Sequence, residues 1–138
     1  MPLLFIARFL LAWLFLRSAQ DVLRNPEPRA ESAAWLLDPI RGFVPFLPED
    51  NLLLVRANAA VQLAAAGLLL TGRLPRLAAL VMAASMVPTT LGGHAYWRHD
   101  DPTRRSQHQV HFNKNVAIIG GLLLVVALDT PASRGRLR

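Results

Sequence analysis

The amino-acid sequence predicts an all-α protein, a four-helix transmembrane bundle with a partly apolar interfacial loop between its first and second helices. Of the 138 residues, 53% are hydrophobic and only 17% are charged. The apolar residues form four blocks, near 2–20, 52–70, 74–97 and 110–128, and the charges collect between them. A soluble bundle would distribute its charges along amphipathic helices, so it is the less favoured alternative. The length predicts one domain, residues 1–138.

The first span is predicted over about residues 2–23 and stops at the proline-containing run 25–28. Arg8 and Arg17 lie near its two ends, where long cationic side chains reach lipid headgroups. Arg8 interrupts the apolar run, and no clean small-x-small motif follows. We therefore expect this segment to be retained and not cleaved as a signal peptide.

A loop is predicted over residues 29–51, between the first two spans. Its centre is apolar, but it is too short to cross a bilayer, and Pro45 and Pro48 keep it irregular. We expect it to lie in the interface or to fold over the mouth of the bundle. Pro48 and the two acidic residues after it would form the first turn of the next helix.

The second and third spans are predicted over about 49–71 and 75–97. Small residues recur in both, which allows close helix packing in a membrane. Pro88 should disturb the third helix, and neighbouring threonines and glycines can satisfy the freed backbone groups. A tight turn at 72–76 joins the two helices.

The fourth span carries the most informative feature, because a polar run from Arg98 to Asn115 leads directly into an apolar run at 116–128. These 13 apolar residues are fewer than the roughly twenty that a span needs, so residues 110–115 must enter the membrane or lie near it. Polar groups at that depth need partners. Asp100 or Asp101 is expected to cap the helix, with Pro102 as its first residue.

Polar side chains of three spans predict a pocket for a carbonyl-bearing or anionic head group, such as that of a quinone. The alternative is structural: Asn58 and Gln62 would hold helices together while Arg56 reaches headgroups, and we weigh it ahead of the pocket. Arg56 also points away from Asn58 on an ideal helix. The candidate binding residues are Arg56, Asn58, His94, His111, Lys114 and Asn115.

Four histidines, His94, His99, His108 and His111, should meet at one membrane face if the last two helices form a hairpin. A metal or haem site is conceivable there. No strong ligand motif supports one, so we predict interfacial histidines and no metal site. Catalytic triads are also not recognisable, and we expect no catalysis by this chain alone.

The charge pattern limits the partners. The net charge is +6, but the arginines lie at helix ends and in loops, where they meet phosphate headgroups, so we expect a lipid bilayer and no nucleic acid.

The chain has no cysteine, which excludes disulfides, thiol chemistry and iron–sulfur ligation in it. The basic turn at 72–76 and the basic tail favour both termini on the cytoplasmic side of the cell membrane.

Six short runs carry a family likeness: LRNP at 23–26, LVRANAAVQ at 54–62, TGRLPRLAAL at 71–80, VPTTLGGH at 87–94, DPTRR at 101–105 and HFNKNVAIIGGLLL at 111–124. They resemble the DoxX family of membrane proteins. The resemblance implies a four-helix membrane protein associated with quinol oxidase, thiosulfate–quinone or stress-related redox systems. One departure is Arg17-Ser18-Ala19-Gln20, where small glycine-rich residues are expected, so Arg17 would alter packing or contact a partner.

These observations lead to one main functional hypothesis and two alternatives. The first is a small, non-catalytic accessory subunit of a membrane redox or respiratory assembly, partnered by other membrane subunits and needing no cofactor of its own. The second is a quinone-binding subunit that uses the predicted pocket. The third, a lipid or small-molecule carrier, would need a lateral opening between helices.

Overall fold

A computed structural model describes residues 2–129 as five α-helices and one short 3-10 helix, with no strand among these residues. Four segments are long and apolar enough to cross a membrane, namely α1, α3, α4 with its 3-10 extension, and α5. The predicted all-α, four-span bundle is therefore confirmed. The α-helices are α1 (Pro2–Arg24), α2 (Glu27–Phe43), α3 (Asn51–Thr71), α4 (Pro75–Gly93) and α5 (Pro102–Leu128), and the 3-10 helix is Tyr96–Arg98.

The segment between α1 and α3 corrects the prediction of an irregular loop, because most of it forms the 17-residue helix α2. Pro28 lies in the first turn of α2, where its missing N–H has no intrahelical partner to lose. Pro39 lies inside the helix and removes one backbone hydrogen bond. Pro45 and Pro48, which favoured a loop, follow the end of the helix.

The predicted start of α5 is confirmed, whereas residues 48–50, predicted as the first turn of the second span, precede α3. The Asp50 carboxylate accepts hydrogen bonds from the backbone N–H groups of Leu52 (2.8 Å) and Leu53 (3.2 Å), so α3 begins two residues later than predicted. The Asp101 carboxylate accepts one from the Arg104 N–H at 2.8 Å, and Pro102 is the first residue of α5, as predicted. The third span ends its α-helix at 93, and not at 97, before the 3-10 turn.

The helices pack in the order α1, α3, α4, α5, while α2 packs on α3 and α4. α1 and α5 contact each other less extensively than the other neighbouring helices do. One place where these two helices meet is Gly121, whose Cα faces the side chain of Leu11. The bundle is therefore most tightly joined along α1–α3 and α3–α4–α5.

A hydrophobic core fills the half of the bundle that holds the start of α1 and the end of α5. Its many alanines let the helices approach closely, which favours association in a membrane. The buried members are Ala12, Phe15, Ala65, Ala66, Leu69, Ala78, Ala79, Met82, Ala83, Met86, Leu122 and Val125.

An ion pair closes this end of the bundle. The Arg8 guanidinium donates a hydrogen bond to Asp129 Oδ2 at 2.8 Å, and the Asp129 side chain is only 1% exposed. Arg8 was predicted to reach lipid headgroups, and the pair corrects that expectation. Asp129 follows α5 directly, so the pair joins the first helix to the end of the last.

Candidate functional site

A cavity of about 610 Å³ occupies the other half of the bundle, beneath α2. Its walls come from the second halves of α1 and α4 and from the first halves of α3 and α5. The inner face of α2, including Ala33 and Leu36, also lines it. Because the packed core fills the opposite half, the cavity is separated from the end that carries the Arg8–Asp129 pair.

The cavity brings together most of the predicted binding residues. Arg56 does not line it and is exposed, because two residues along an α-helix turn a side chain by about 200° from Asn58. Gln62, one turn after Asn58, joins the cavity wall. The predicted residues that line the cavity are Asn58, His94, His111, Lys114 and Asn115.

Two amide side chains of α3 also hold α3 to α4. The Asn58 Nδ2 group donates to Thr89 Oγ1 at 3.0 Å, and Gln62 Nε2 lies 3.4 Å from the same oxygen. Thr89 in turn donates to the Ser85 carbonyl at 2.9 Å. The structural interpretation of Asn58 and Gln62 is therefore confirmed, and it coexists with their position in the cavity wall. Thr89 is one of the threonines that were expected to satisfy backbone groups near Pro88, and its role as the shared acceptor was missed.

The polar end of the cavity is basic. Lys114 Nζ lies 3.2 Å from His111 Nδ1, one helical turn away on α5. Arg29 of α2 also lines the cavity, and its guanidinium pairs with Asp21 at 2.7 Å. No Asp or Glu occurs among the described lining residues. Arg29 was missed because its segment was predicted to be a loop, so no face could be assigned to it.

The four histidines lie side by side, as the hairpin predicted, in the order His99, His108, His94, His111; we call them the histidine row. Successive ring centroids are 4.1 Å, 5.6 Å and 5.0 Å apart. The Nδ1 atoms of His94 and His108 are buried without a hydrogen-bond partner in the part of the chain that the structure describes. Within residues 2–129, no group of three or more His, Cys, Asp or Glu side chains could hold a metal ion.

The outer end of the row carries a perturbed acid–base group. Desolvation lowers the pKa of His99 below its usual value, and the positive charges of His108, Arg104 and Arg98 lower it further. The lowered pKa of His99 favours its neutral form. A neutral imidazole has one ring nitrogen that donates and one that accepts a proton.

Three contacts dock α2 over the cavity. The Trp35 indole N–H donates to the Gly92 carbonyl at 3.3 Å, and the Arg98 guanidinium lies 4.5 Å from the Trp35 ring centroid. A Cβ atom added at Gly92 would lie 3.4 Å from the Ala33 Cβ and 3.7 Å from Leu36. Glycine at this position therefore allows α2 to approach the backbone of α4 closely.

Comparison with known families agrees with the resemblance read from the sequence. The DoxX family model matches residues 3–95, which is more than half of the chain and includes His94. The chain belongs to the DoxX family. The match ends before α5, so the resemblance of residues 111–124 to the family stays a prediction. A search of the curated proteins and a search of the solved structures each return no match.

Proposed function

We propose that this DoxX protein is a membrane subunit that binds the head group of a quinone in the cavity beneath α2. The observation that carries the proposal is the polar end of the cavity, to which a lysine, two histidines and three amides contribute, with no carboxylate among the lining residues at 2–129. The carbonyl oxygens of a quinone accept hydrogen bonds. A site that is rich in hydrogen-bond donors and poor in negatively charged side chains therefore suits them.

The remaining wall supports the same ligand class. The apolar residues that line the cavity include Leu14, Phe15, Val22, Leu37 and Ile118. An apolar wall with a few convergent polar groups is the usual composition of a small-molecule site, and typical sites measure roughly 300–1,000 Å³. The cavity volume of about 610 Å³ suits a ring system with the first part of its tail. Lys114, His111 and Asn115 would hold the carbonyl groups, and the bound quinone would supply reversible two-electron chemistry.

Replacing Lys114 by methionine tests the proposal, because Lys114→Met keeps the length of the side chain and removes its charge. Loss of a hydrogen bond from a charged donor costs about 1.5–3 kcal/mol, so we expect the Kd for a short-chain naphthoquinone to rise at least tenfold. Quenching of tryptophan fluorescence in detergent or nanodiscs measures the Kd.

Arg56→Met is the matched control, since it makes the same kind of change on an exposed side chain outside the cavity. It should leave the Kd unchanged. Equal affinity in the unchanged protein and the folded Lys114→Met variant, or no saturable binding by the unchanged protein, would contradict the proposal.

The accessory-subunit role is the second candidate. It is supported by the start of α5, where Arg104, Arg105, Ser106 and Gln107 are all exposed and form a polar surface before the apolar part of the helix. Such a surface can dock another subunit of a redox assembly. Purification from native membranes in mild detergent distinguishes the two roles: a defined larger assembly supports the accessory role, and a lone protein contradicts it.

We also propose that the protein resides in the cell membrane with both termini in the cytoplasm. The basic turn between α3 and α4, with Arg73 and Arg76, lies at the same end of the bundle as the start of α1. Short basic loops favour the cytoplasmic side. In this orientation the cavity and α2 lie toward the outer surface.

A further inference from the structure

The histidine row leads from outside the membrane-spanning segments into the cavity. His99 follows the end of the third span at residue 98, whereas His94 and His111 line the cavity. His108 lies between them, with its ring centroid 4.1 Å from that of His99 and 5.6 Å from that of His94. These are all four histidines of the chain, and they form one continuous series.

The row also crosses the boundary between water and hydrocarbon. His108 precedes Leu128, the last residue of α5, by twenty positions, which corresponds to about 30 Å along a helix and to the thickness of the hydrocarbon core. If Leu128 lies at one boundary, His108 lies at the other, and His111 and Lys114 lie inside. Ionisable groups at that depth are rare and often belong to proton relays.

The chemistry of the rings suits proton transfer. The Nδ1 atoms of His94 and His108 are buried and have no hydrogen-bond partner among the described residues, so each has a nitrogen available to a neighbouring group. An imidazole can bind a proton at one nitrogen and release the proton of the other. At the inner end, Lys114 Nζ lies 3.2 Å from His111 Nδ1.

Several charged groups face the row from neighbouring elements. The positive charges of Lys114 on α5 and Arg29 on α2 interact electrostatically with the His94 ring. The groups that act on His99 are Arg98 of the 3-10 helix, Asp100 of the loop and Arg104 of α5. Cations therefore surround both ends of the row, and one carboxylate lies beside its outer end.

We propose that the histidine row is a proton pathway that joins water at the membrane surface to the polar end of the cavity. A proton from water binds a ring nitrogen of His99, and the proton on the other nitrogen passes to His108, then to His94 and to His111. The rings of His99 and His108 and those of His94 and His111 are stacked, with interplanar angles of 19° and 21°, so each of these transfers needs a rotation of a ring or a water molecule at the ring edges. Each donor ring returns to the neutral form, so one proton leaves water and one arrives at the cavity.

The pathway deepens the proposed function, and its link to a quinone rests on that function. Reduction of a quinone to a quinol consumes two protons with two electrons from an external reductant, and the row would deliver the protons. Proton movement between water and His111 does not itself require a ligand, so it can be measured separately from quinone binding.

Proton exchange at His111 tests the pathway without any ligand. Protein labelled with ¹⁵N-histidine is placed in lipid bilayers, and the exchange of the His111 ring N–H with water is measured by NMR. We expect His108→Phe to slow this exchange at least tenfold, because the variant removes the second of the four rings without changing a cavity-lining residue. If the phenylalanine variant does not fold, His108→Gln takes its place. Glutamine is polar and does not titrate near neutral pH, so we expect a similar slowing of the exchange.

Gln107→Phe is the matched control, since it places the same side chain at an adjacent exposed position. It should exchange His111 at the unchanged rate. An unchanged rate in folded His108→Phe or His108→Gln protein would overturn the pathway, because protons would then reach His111 directly through the cavity. If the protein does not bind a quinone, the proposed function is wrong. The exchange rate of the His111 ring N–H in the His108 variants then still tests the pathway.

Discussion

At the scale of single residues, the sequence does not predict the environment of an arginine side chain whose partner lies far away in the chain. Arg17 stands where the family resemblance predicts small residues, yet it is exposed, and Ala19 supplies the buried side chain of that turn. Arg8 was predicted to reach headgroups and instead pairs with Asp129, 121 positions away. Local spacing contains no information about that partner.

The Arg8–Asp129 pair should contribute measurably to stability. In Arg8→Met the buried Asp129 carboxylate loses its guanidinium partner, and breaking a buried ion pair costs about 3–5 kcal/mol, less here because the Arg8 side chain is 20% exposed. We expect a loss of about 2–3 kcal/mol in the free energy of unfolding, measured by denaturation with sodium dodecyl sulfate. Arg17→Met, on the exposed face of the same helix, should change it little. Equal losses in both variants would show that the pair has no specific role.

At the scale of elements, α2 is the largest difference between the prediction and the structure. Pro45 and Pro48 were interpreted as signs of an irregular loop, although both follow the end of the helix. Pro28 lies in the first turn of the helix and Pro39 in its interior. The suggestion that this segment folds over the mouth of the bundle agrees with the structure. Its docking depends on Gly92, whose lack of a side chain brings α2 against α4.

Gly92→Leu should lift α2 from the bundle, because the new side chain would meet Ala33 and Leu36. Since the chain has no cysteine, a single Leu36→Cys reports on this contact. We expect its reaction with a maleimide to accelerate severalfold in the Gly92→Leu background. Gly93→Leu is the control, because a Cβ there meets nothing within 4 Å, and it should leave the rate unchanged. Similar rates in all three proteins would mean that Gly92 does not control the docking of α2.

At the scale of the whole molecule, the bundle is divided into a packed half and a hollow half. The packed half holds the alanine-rich core and the Arg8–Asp129 pair, and the hollow half holds the cavity, α2 and the histidine row. In the proposed pathway only the membrane surface beside the histidine row exchanges protons with the cavity, so the orientation of the protein has a functional meaning.

Labelling of single cysteines determines that orientation. Arg73→Cys marks the turn between α3 and α4, and Gln107→Cys marks the exposed start of α5. With the termini in the cytoplasm, a membrane-impermeant maleimide applied to intact cells should label Gln107→Cys and not Arg73→Cys. Permeabilised cells should label both. The reverse pattern in intact cells would place the cavity on the cytoplasmic side.

The sequence by itself determined the number and approximate positions of the spans and narrowed the cap of α5 to Asp100 or Asp101, and five of the six residues that it proposed for a pocket line the cavity. These features follow from local terms, namely hydropathy summed along the chain, helix length and the needs of a helix end. Tertiary structure alone decided the helical form of α2, the entry of Arg29 into the cavity and the order of the histidine row. Those features depend on which helix faces meet, and such meetings join residues that are distant in the sequence and whose partners no local pattern specifies.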